Sequence, residues 1–338
     1  MPFFYGSKKF LAFLVIIFFI LTAFYTYTIQ PLGDTSLTRT VDIPSGASFF
    51  RITEILHDAG FVKNRPFFWT LAIGKGAARQ IKAGEYEFSG NMSPTEMINK
   101  LLRGERKYYM VLIPEDINAR EIAERLVSYR LINDGEFIKL LTDRDFILSL
   151  GLDEKSLEGY LFPDTYRLDR SMTTAGIIRI LVYRFQEKIT PEITKRAEKM
   201  KMTLHKLITF ASIIGKESSN SIEKPLISAV FHNRMKLGMK LQSDPTTVYG
   251  LQENGNDVKT VLSKHLKSDN PYNTYRIKSL PPGPIANPGL DSIMAALYPA
   301  EVNYLYFVSK NDGTHQFSTD LASHKRAVQE YRKKIKIK

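Results

Sequence analysis

Residues 10–29 form a run of twenty residues without a charged side chain. A helix of about twenty apolar residues matches the hydrocarbon thickness of a bilayer and satisfies its own backbone hydrogen bonds there. Lys8 and Lys9 precede the run, and no basic residue follows it until Arg39. This lysine bias predicts an uncleaved single-pass anchor with a cytoplasmic N-terminus and the rest of the chain outside. A cleaved signal peptide is the alternative, although its apolar core is normally shorter and no A-x-A-like site follows here.

The composition excludes several classes of chemistry. The chain has 338 residues, 43% hydrophobic and 24% charged, which is ordinary for a globular protein and leaves room for two or three modules beside an anchor. The absence of cysteine excludes disulfides, thiolate catalysis and cysteine-ligated metals. The six histidines show no H-x-x-x-H or H-E-x-x-H spacing. We therefore expect neither a metal site nor a cofactor.

The net charge of +12 raises the question of a nucleic-acid partner. Basic residues are spread along the chain apart from a cluster at its C-terminal end, and no helix-turn-helix, RNA-recognition or zinc-finger motif accompanies them. A basic surface also suits an anionic cell wall or lipid headgroups. We expect no nucleic-acid partner.

A near-repeat at an offset of 70 residues organises the first half of the chain. Residues 43–71 and 113–141 are identical at seven of 29 positions, and each copy predicts a strand, a turn and two helices. Ser93 and Glu96 form a capping box that opens a helix ending at Arg103. The expected organisation is a cytoplasmic N-terminus (1–9), a transmembrane helix (10–29), a linker (30–40), a β-α-α-β module (41–105), a mixed α+β domain (108–330) and a basic tail (331–338).

Periodicity in the second domain predicts an α+β fold. It indicates helices at about 173–198, 203–219, 224–237 and 290–299, followed by a hairpin of strands at 304–309 and 314–318.

Glu217 is the leading candidate for catalysis. Apolar residues recur at 204, 207, 208, 211 and 214, so a helix places the Glu217 carboxyl beside an apolar stripe. Desolvation there raises the pKa of a carboxyl, and a carboxylic acid that keeps its proton near neutral pH can serve as a general acid. The alternative is a glutamate at the edge of a solvated helix face.

Polar loops supply the candidate substrate-binding residues. Asp244 precedes Pro245 and is expected to be extended, with its side chain and that of Gln242 projecting from a rigid loop; a simple Asx turn is the alternative. Rings and amides together suit sugar recognition, and the Asn270–Tyr275 loop offers both. Tyrosines that only cap the core, and a structural turn around Pro163, are the alternatives for these loops. The candidates are Tyr160, Asp164, Gln242, Asp244, Tyr272, Asn273 and Tyr275.

Five strings occur in one order along the chain: Glu158–Tyr166, Ala211–Glu217, Leu241–Tyr249, Asn270–Tyr275 and Ser279–Gly289. Together they closely resemble the membrane-bound endolytic murein transglycosylase family, whose members cut peptidoglycan glycan strands. The resemblance covers nearly the whole chain. Many members carry a second acidic residue two positions before the catalytic glutamate, where this chain has Gly215.

The resemblance implies that Glu217 is catalytic and that the first module is LysM-like. It implies a lytic transglycosylase that cleaves the MurNAc-β-1,4-GlcNAc bond of nascent strands and leaves 1,6-anhydro-MurNAc ends. It further implies no cofactor, peptidoglycan synthases as partners, and a bacterial inner-membrane anchor with the catalytic domain in the periplasm.

Three other functions compete with this interpretation. A two-carboxylate muramidase would add a second acid to Glu217, and a wall-binding scaffold would keep the groove without needing Glu217. A serine acyltransferase is suggested by the S-x-x-K string that ends at Lys224 and the S-D-N string that begins at Ser268. No K-T-G follows, however, and Pro225 disfavours the helical backbone that this chemistry needs at Lys224.

Overall fold

The computed structural model of the protein describes residues 3–31, 33, 36, 38–77, 80–256, 258 and 260–335. Part of the predicted linker (32, 34, 35 and 37) and of the predicted basic tail (336–338) lies outside the described residues. The chain divides into two compact units, Met1–Tyr109 with Arg167–Met172 and Met110–Tyr166 with Thr173–Lys338.

The fold is mixed α+β, with short sheets and many helices. The helices of the described residues are α1 (Phe3–Ile29), α2 (Phe49–Asp58), α3 (Arg65–Gly74), α4 (Pro94–Arg103), α5 (Ala119–Ser128), α6 (Asp134–Leu140), α7 (Arg144–Ser149), α8 (Thr174–Lys188), α9 (Pro191–Lys199), α10 (Leu204–Glu217), α11 (Lys224–Lys236), α12 (Asp244–Glu253), α13 (Leu290–Leu297) and α14 (Leu321–Ile335). The strands are β1 (Thr38–Ile43), β2 (Gly84–Ser89), β3 (Tyr109–Leu112), β4 (Thr165–Leu168), β5 (Tyr306–Ser309) and β6 (His315–Ser318). They pair as β1 with β2, β3 with β4 and β5 with β6.

The first unit begins with α1, whose span Lys8–Ile29 is long and apolar enough to cross a membrane. The end of this helix packs against α3, because the Phe67 ring lies 5.5 Å from the ring of Phe24 and 5.6 Å from that of Tyr27. The helix is therefore joined to the folded unit by side-chain packing as well as by the chain.

The rest of the first unit is a two-stranded sheet covered by three helices. β1 and β2 are antiparallel, with Thr38 opposite Ser89 and Ile43 opposite Gly84. Alternate residues of β2 point into the core, and helices α2, α3 and α4 bury their apolar faces against them. The predicted capping box is confirmed, since the Ser93 hydroxyl accepts from the Glu96 backbone N–H at 3.3 Å and the Ser93 N–H donates to Glu96 Oε2 at 2.7 Å.

The second unit follows the predicted elements with one correction. The hairpin of β5 and β6 and the helices near 203–219, 224–237 and 290–299 are confirmed. The single helix predicted at 173–198 is wrong, because α8 ends at Lys188 and α9 begins at Pro191. Proline lacks an N–H and disfavours helical backbone at the residue before it, and Thr190 is extended with ψ 161°. The apolar periodicity continues from α8 into α9, so the sequence pattern did not show that the helix ends between them.

Helix α10 is the centre of the second unit, buried from Leu207 to Gly215. Its N-terminus is capped by Thr203, whose hydroxyl accepts from the Lys206 N–H at 3.2 Å. At the other end, Gly215 is packed so closely that a Cβ there would overlap the carboxylate of Asp116. This position of α10 therefore accommodates only glycine beside that carboxylate.

A buried lysine holds the Asp116 carboxylate in place. The Lys224 side chain is 1% exposed, and its Nζ lies 3.1 Å from Asp116 Oδ2, 2.9 Å from Asp291 Oδ1 and 2.8 Å from Ser292 Oγ. Lys224 therefore joins the start of α11 to the start of α13 and to the loop before α5.

We expect Lys224→Met to destabilise the second unit by about 3 kcal/mol, since it leaves Asp116, Asp291 and the more distant Glu115 without their cation. Removing one partner of a buried ion pair costs about 3–5 kcal/mol. We expect the low end of this range because Asp291 is about one third exposed and its charge is partly screened by water. Thermal unfolding of the purified full chain measures the loss. Lys236→Met on the same helix is the matched control, and its exposed side chain should matter by no more than about 0.5 kcal/mol. Equal losses in the two variants would contradict the role of Lys224.

Candidate active site

Glu217 is the last residue of α10, and Ser218 after it is extended. The nine residues from Leu207 to Gly215 are buried, and the half-buried Glu217 side chain after them lies at the wall of a cavity. The C-terminal end of a helix also disfavours negative charge. Position on the helix therefore already favours a carboxyl that keeps its proton.

The Glu217 carboxyl has one direct hydrogen-bond partner on a neighbouring segment. Ser243 Oγ donates to Glu217 Oε1 at 2.5 Å. Ser243 is itself fixed, since its N–H donates to Thr274 Oγ1 at 2.9 Å and its carbonyl accepts from Thr246 Oγ1 at 2.7 Å. The Asn270–Tyr275 loop thus orients the serine that orients the glutamate.

The pKa of Glu217 is raised to about 7, and burial is the largest cause. The hydrogen bond from Ser243 and the positive charge of Arg234 oppose the rise, whereas the negative charge of Asp244 adds to it. At neutral pH this carboxyl is therefore divided between its protonated and ionised forms. It can give a proton in one step and accept one in the next.

The cavity beside Glu217 has a volume of about 380 Å³. Its lining comprises Glu217, Arg234, Leu241, Gln242, Asp244, Tyr275, Tyr306, Phe307, Leu321 and His324. Arg234 is fixed by two carbonyls, as Nε donates to Leu305 O at 2.7 Å and Nη1 donates to Leu241 O at 2.6 Å. Its guanidinium lies 5.2 Å from the centre of the Tyr306 ring. The cavity thus combines a fixed cation with aromatic walls.

Asp244 is the second carboxylate of this cavity. The prediction that it is extended is wrong, because Asp244 begins α12 and the extended residue is Ser243. Pro245 is accommodated in the first helical turn, where its missing N–H costs nothing. Tyr275 donates its hydroxyl to Asp244 Oδ1 at 2.5 Å, so this carboxylate is already engaged.

A larger cavity of about 840 Å³ shares Asp244 with the Glu217 cavity. Lys216, the neighbour of Glu217 on α10, lines the larger cavity. The larger cavity is also bordered by Asn118 and Glu121 at the start of α5 and by α12. Two cavities that share a lining residue give room for a ligand longer than either cavity alone holds.

Four of the predicted site residues come together in the Glu217 cavity: Glu217, Gln242, Asp244 and Tyr275. Tyr160 and Asp164 do not line either cavity. The Tyr160 side chain is fully buried, with its hydroxyl 3.2 Å from His205 Nδ1. Asp164 forms an ion pair with Arg184 at 2.7 Å.

Tyr272 and Asn273 also lie outside the two cavities. The Tyr272 ring packs at 5.0 Å from that of Tyr249. Asn273 is completely buried, its amide N–H donating to Ser268 O at 2.8 Å and its amide oxygen accepting from Thr247 Oγ1 at 3.2 Å. These side chains hold the loop that supports Ser243.

Sequence reasoning missed Ser243, Arg234, Tyr306, Phe307 and His324. Ser243 stood inside a signature string and could have been chosen for its hydroxyl. The others come from α11, the β5–β6 hairpin and α14, and only tertiary packing brings them to Glu217. Among the residues that the structure describes, no group of three or more His, Cys, Asp or Glu side chains is arranged to hold a metal ion.

Comparison with known proteins places this chain in a family. Residues 41–330 match the model of the YceG-like family. An endolytic murein transglycosylase of Bacillus subtilis is 33% identical over 314 residues, which cover 88% of this chain and 86% of the relative. An enzyme of the same name from Streptococcus pneumoniae is 28% identical over 86% of this chain, which spans 58% of that longer protein.

A solved structure agrees with the sequence comparison. The 2.6 Å crystal structure of a yceG-like protein from Listeria monocytogenes aligns with a TM-score of 0.59 and 33% identity, covering 86% of this chain and 99% of that one. The resemblance drawn from the five strings is confirmed, and the chain belongs to the YceG-like family.

Proposed function

We propose that this protein is a membrane-anchored endolytic lytic transglycosylase of peptidoglycan. The observation that carries the proposal is the Glu217 carboxyl, whose pKa lies near 7 at the wall of a cavity that shares Asp244 with a larger cavity. The names of the Bacillus and Streptococcus relatives, endolytic murein transglycosylase, support the same activity.

The proposed reaction cleaves the β-1,4 bond between N-acetylmuramic acid and N-acetylglucosamine. Protonated Glu217 gives its proton to the glycosidic oxygen as the bond to the anomeric carbon breaks. The N-acetyl group of the muramic residue stabilises the oxocarbenium-like carbon, as in substrate-assisted glycosidases. Ionised Glu217 then removes the proton of the 6-hydroxyl, whose oxygen bonds to the anomeric carbon. Glu217 ends protonated, no water is consumed, and the product is a 1,6-anhydro end.

The surrounding residues support both halves of this cycle. Ser243 fixes the direction of the Glu217 carboxyl through its 2.5 Å hydrogen bond. Arg234 offers a positive charge that stabilises the ionised form between the two proton transfers. Gln242, Asp244 and Tyr275 line the same cavity and are proposed to contact the sugars.

A two-carboxylate muramidase is a further alternative beside the wall-binding scaffold, with Asp244 as the second acid. Both carboxyls line one cavity, which is the observation in its favour. Asp244 accepts the Tyr275 hydroxyl, however, and this fits a positioning role better than direct attack on the anomeric carbon.

We further propose that α1 anchors the enzyme in the cytoplasmic membrane, with residues 108–330 as the catalytic domain on the outer side. In this arrangement the module 41–105 is LysM-like and either grips glycan or holds the catalytic domain away from the bilayer. The family resemblance suggests peptidoglycan synthases as partners and strand termination during wall synthesis as the role.

Glu217→Gln should keep the fold and remove the activity. General acid–base groups contribute roughly 10²–10⁴ in rate, and the amide keeps the shape of the side chain without its proton chemistry. The measurement is the release of soluble fragments from purified glycan strands by the full chain. Glu198→Gln, an exposed glutamate on α9, is the matched control and should remain active. A folded Glu217→Gln protein with near-full activity would favour the scaffold function or another catalyst.

The same digest, analysed by mass spectrometry, distinguishes the two mechanisms. Each 1,6-anhydro end is lighter by one water than a hydrolysed reducing end. We expect anhydro ends to dominate. Reducing ends that disappear in Asp244→Asn would instead identify a two-carboxylate hydrolase.

The pH profile of kcat/KM should fall on its basic side near pH 7, because the first step needs protonated Glu217. Asp244→Asn removes a charge that raises the pKa of Glu217, so the basic limb should move to lower pH. Ser243→Ala removes a hydrogen bond that lowers this pKa, so the limb should move to higher pH. Shifts of both variants in one direction would mean that another group controls the limb.

The orientation of the anchor is tested by a reporter enzyme that is active only in the cytoplasm, fused after Lys338. Lys8 and Lys9 before α1 predict a silent reporter. The same fusion on a chain whose α1 is preceded by neutral residues and followed by added lysines serves as the inverted control. A strong signal from the natural chain would place the catalytic domain inside and exclude peptidoglycan as its substrate.

A further inference from the structure

We propose that Phe50, Trp69 and Ile73 form an apolar patch that lies in the headgroup region of the bilayer crossed by α1. The proposal rests on the anchor proposed above. It adds a second contact of the first unit with the same membrane, made by side chains on α2 and α3.

The patch is exposed and contiguous. Phe50 is 59%, Trp69 43% and Ile73 61% exposed, and no other large hydrophobic side chain described between residues 38 and 109 is comparably exposed. Trp69 and Ile73 are one turn apart on α3, and the Phe50 ring lies 5.8 Å from the Trp69 ring. Concentrated apolar exposure in an otherwise well-packed unit indicates a surface that contacts an apolar partner.

The position of α3 identifies that partner. Phe67 of α3 packs on Phe24 and Tyr27, which lie in the last two turns of α1. A span of roughly twenty residues from residue 10 ends at Ile29, so Tyr27 and Phe24 lie about 3 Å and about 8 Å before the point where α1 leaves the hydrocarbon core. Trp69 is two residues after Phe67, which puts it on the side of α3 opposite Phe67, away from α1. The helix that carries Trp69 and Ile73 therefore touches the anchor near the membrane boundary and turns these two side chains to the surroundings of the anchor.

The side chains fit a membrane interface better than a sugar platform. Tryptophan is favoured at the headgroup level because its ring is apolar and its N–H is polar, and Trp69 is the single tryptophan of the chain. Exposed Arg51 beside Phe50 can meet lipid phosphates, whereas Arg65 on α3 is paired with Glu54 at 2.9 Å. Phe50 stands at 69° to Trp69, so the two rings share no flat face on which a sugar could stack.

Such a contact would fix the first unit against the bilayer at two points. α1 alone leaves the tilt of the unit relative to the bilayer surface free, whereas a second contact on α2 and α3 limits that tilt. The orientation of the unit would then be set by the membrane.

Trp69 makes the proposal directly measurable, because its fluorescence comes from the patch alone. The full chain is reconstituted in phosphatidylglycerol vesicles whose acyl chains are unlabelled, brominated near the headgroup, or brominated near the chain ends. We expect blue-shifted emission, strong loss of emission with shallow bromine, little loss with deep bromine, and protection from aqueous iodide. If iodide quenches the emission freely and shallow bromine does not affect it, the patch does not contact the bilayer, although α1 can still anchor the chain. If the chain does not float with the vesicles, both the anchor and the membrane contact of the patch are contradicted.

The double variant Phe50→Ser with Ile73→Ser keeps the fluorescent Trp69 and removes the two apolar side chains beside it. Both side chains are exposed, so the core and the thermal transition should be unchanged. The emission should shift to the red and lose its quenching by shallow bromine, while flotation through α1 remains. Ile222→Ser, which alters an 84% exposed side chain of the second unit, is the matched control and should leave Trp69 emission unchanged. Emission that ignores brominated lipid but shifts on addition of glycan strands would instead identify a sugar-binding surface and contradict the proposal.

Discussion

The buried amide of Asn287 is the contact on which the surroundings of α10 depend. Its oxygen accepts from the N–H groups of Gly159 and Leu161 at 2.9 Å, and its nitrogen donates to Glu158 at 2.9 Å. Burial raises the pKa of Glu158 to about 8, so this carboxyl stays mostly protonated at neutral pH. Two residues before Asn287, Ile285 donates its N–H to Ser212 on α10 at 3.0 Å. Two of the signature strings, Glu158–Tyr166 and Ser279–Gly289, are therefore bonded to each other and to α10 through buried polar groups whose partners are fixed.

This rigidity gives Glu217 its chemistry. A carboxyl stays desolvated only if the surrounding groups cannot relax around its charge, and the fixed Ser243 and Arg234 meet that condition. The resulting pKa near 7 suits a reaction in which one group serves first as acid and then as base. A hydrolase with two carboxyls needs their pKa values to differ. A lytic transglycosylase instead needs one carboxyl whose protonated and ionised forms are both populated near the working pH.

Much of the local structure was predictable from sequence, because it depends on short-range rules. The capping box at Ser93, the hairpin around 304–318 and the placement of Glu217 beside an apolar stripe all follow from spacing within a few residues. The walls of the site were less predictable, since Arg234 and His324 reach Glu217 through packing of distant elements. Asn273 shows a second limit of prediction from sequence, which concerns the role of a polar loop. A loop rich in amides and rings has the same composition whether it binds a sugar or fixes its neighbours, and only burial distinguishes the two.

Gly215 shows how a departure from a family pattern can be accommodated. A side chain there would overlap the Asp116 carboxylate, which Lys224 holds from the opposite side. The end of α10 is thus fixed by an ion pair from two other segments rather than by a side chain of its own. The charge of Asp116 is compensated by this lysine, and the acid that raises the pKa of Glu217 is Asp244. Each of the two carboxyls thus accepts one short hydrogen bond, Asp244 from Tyr275 and Glu217 from Ser243, and Glu217 is the one whose pKa is raised to about 7.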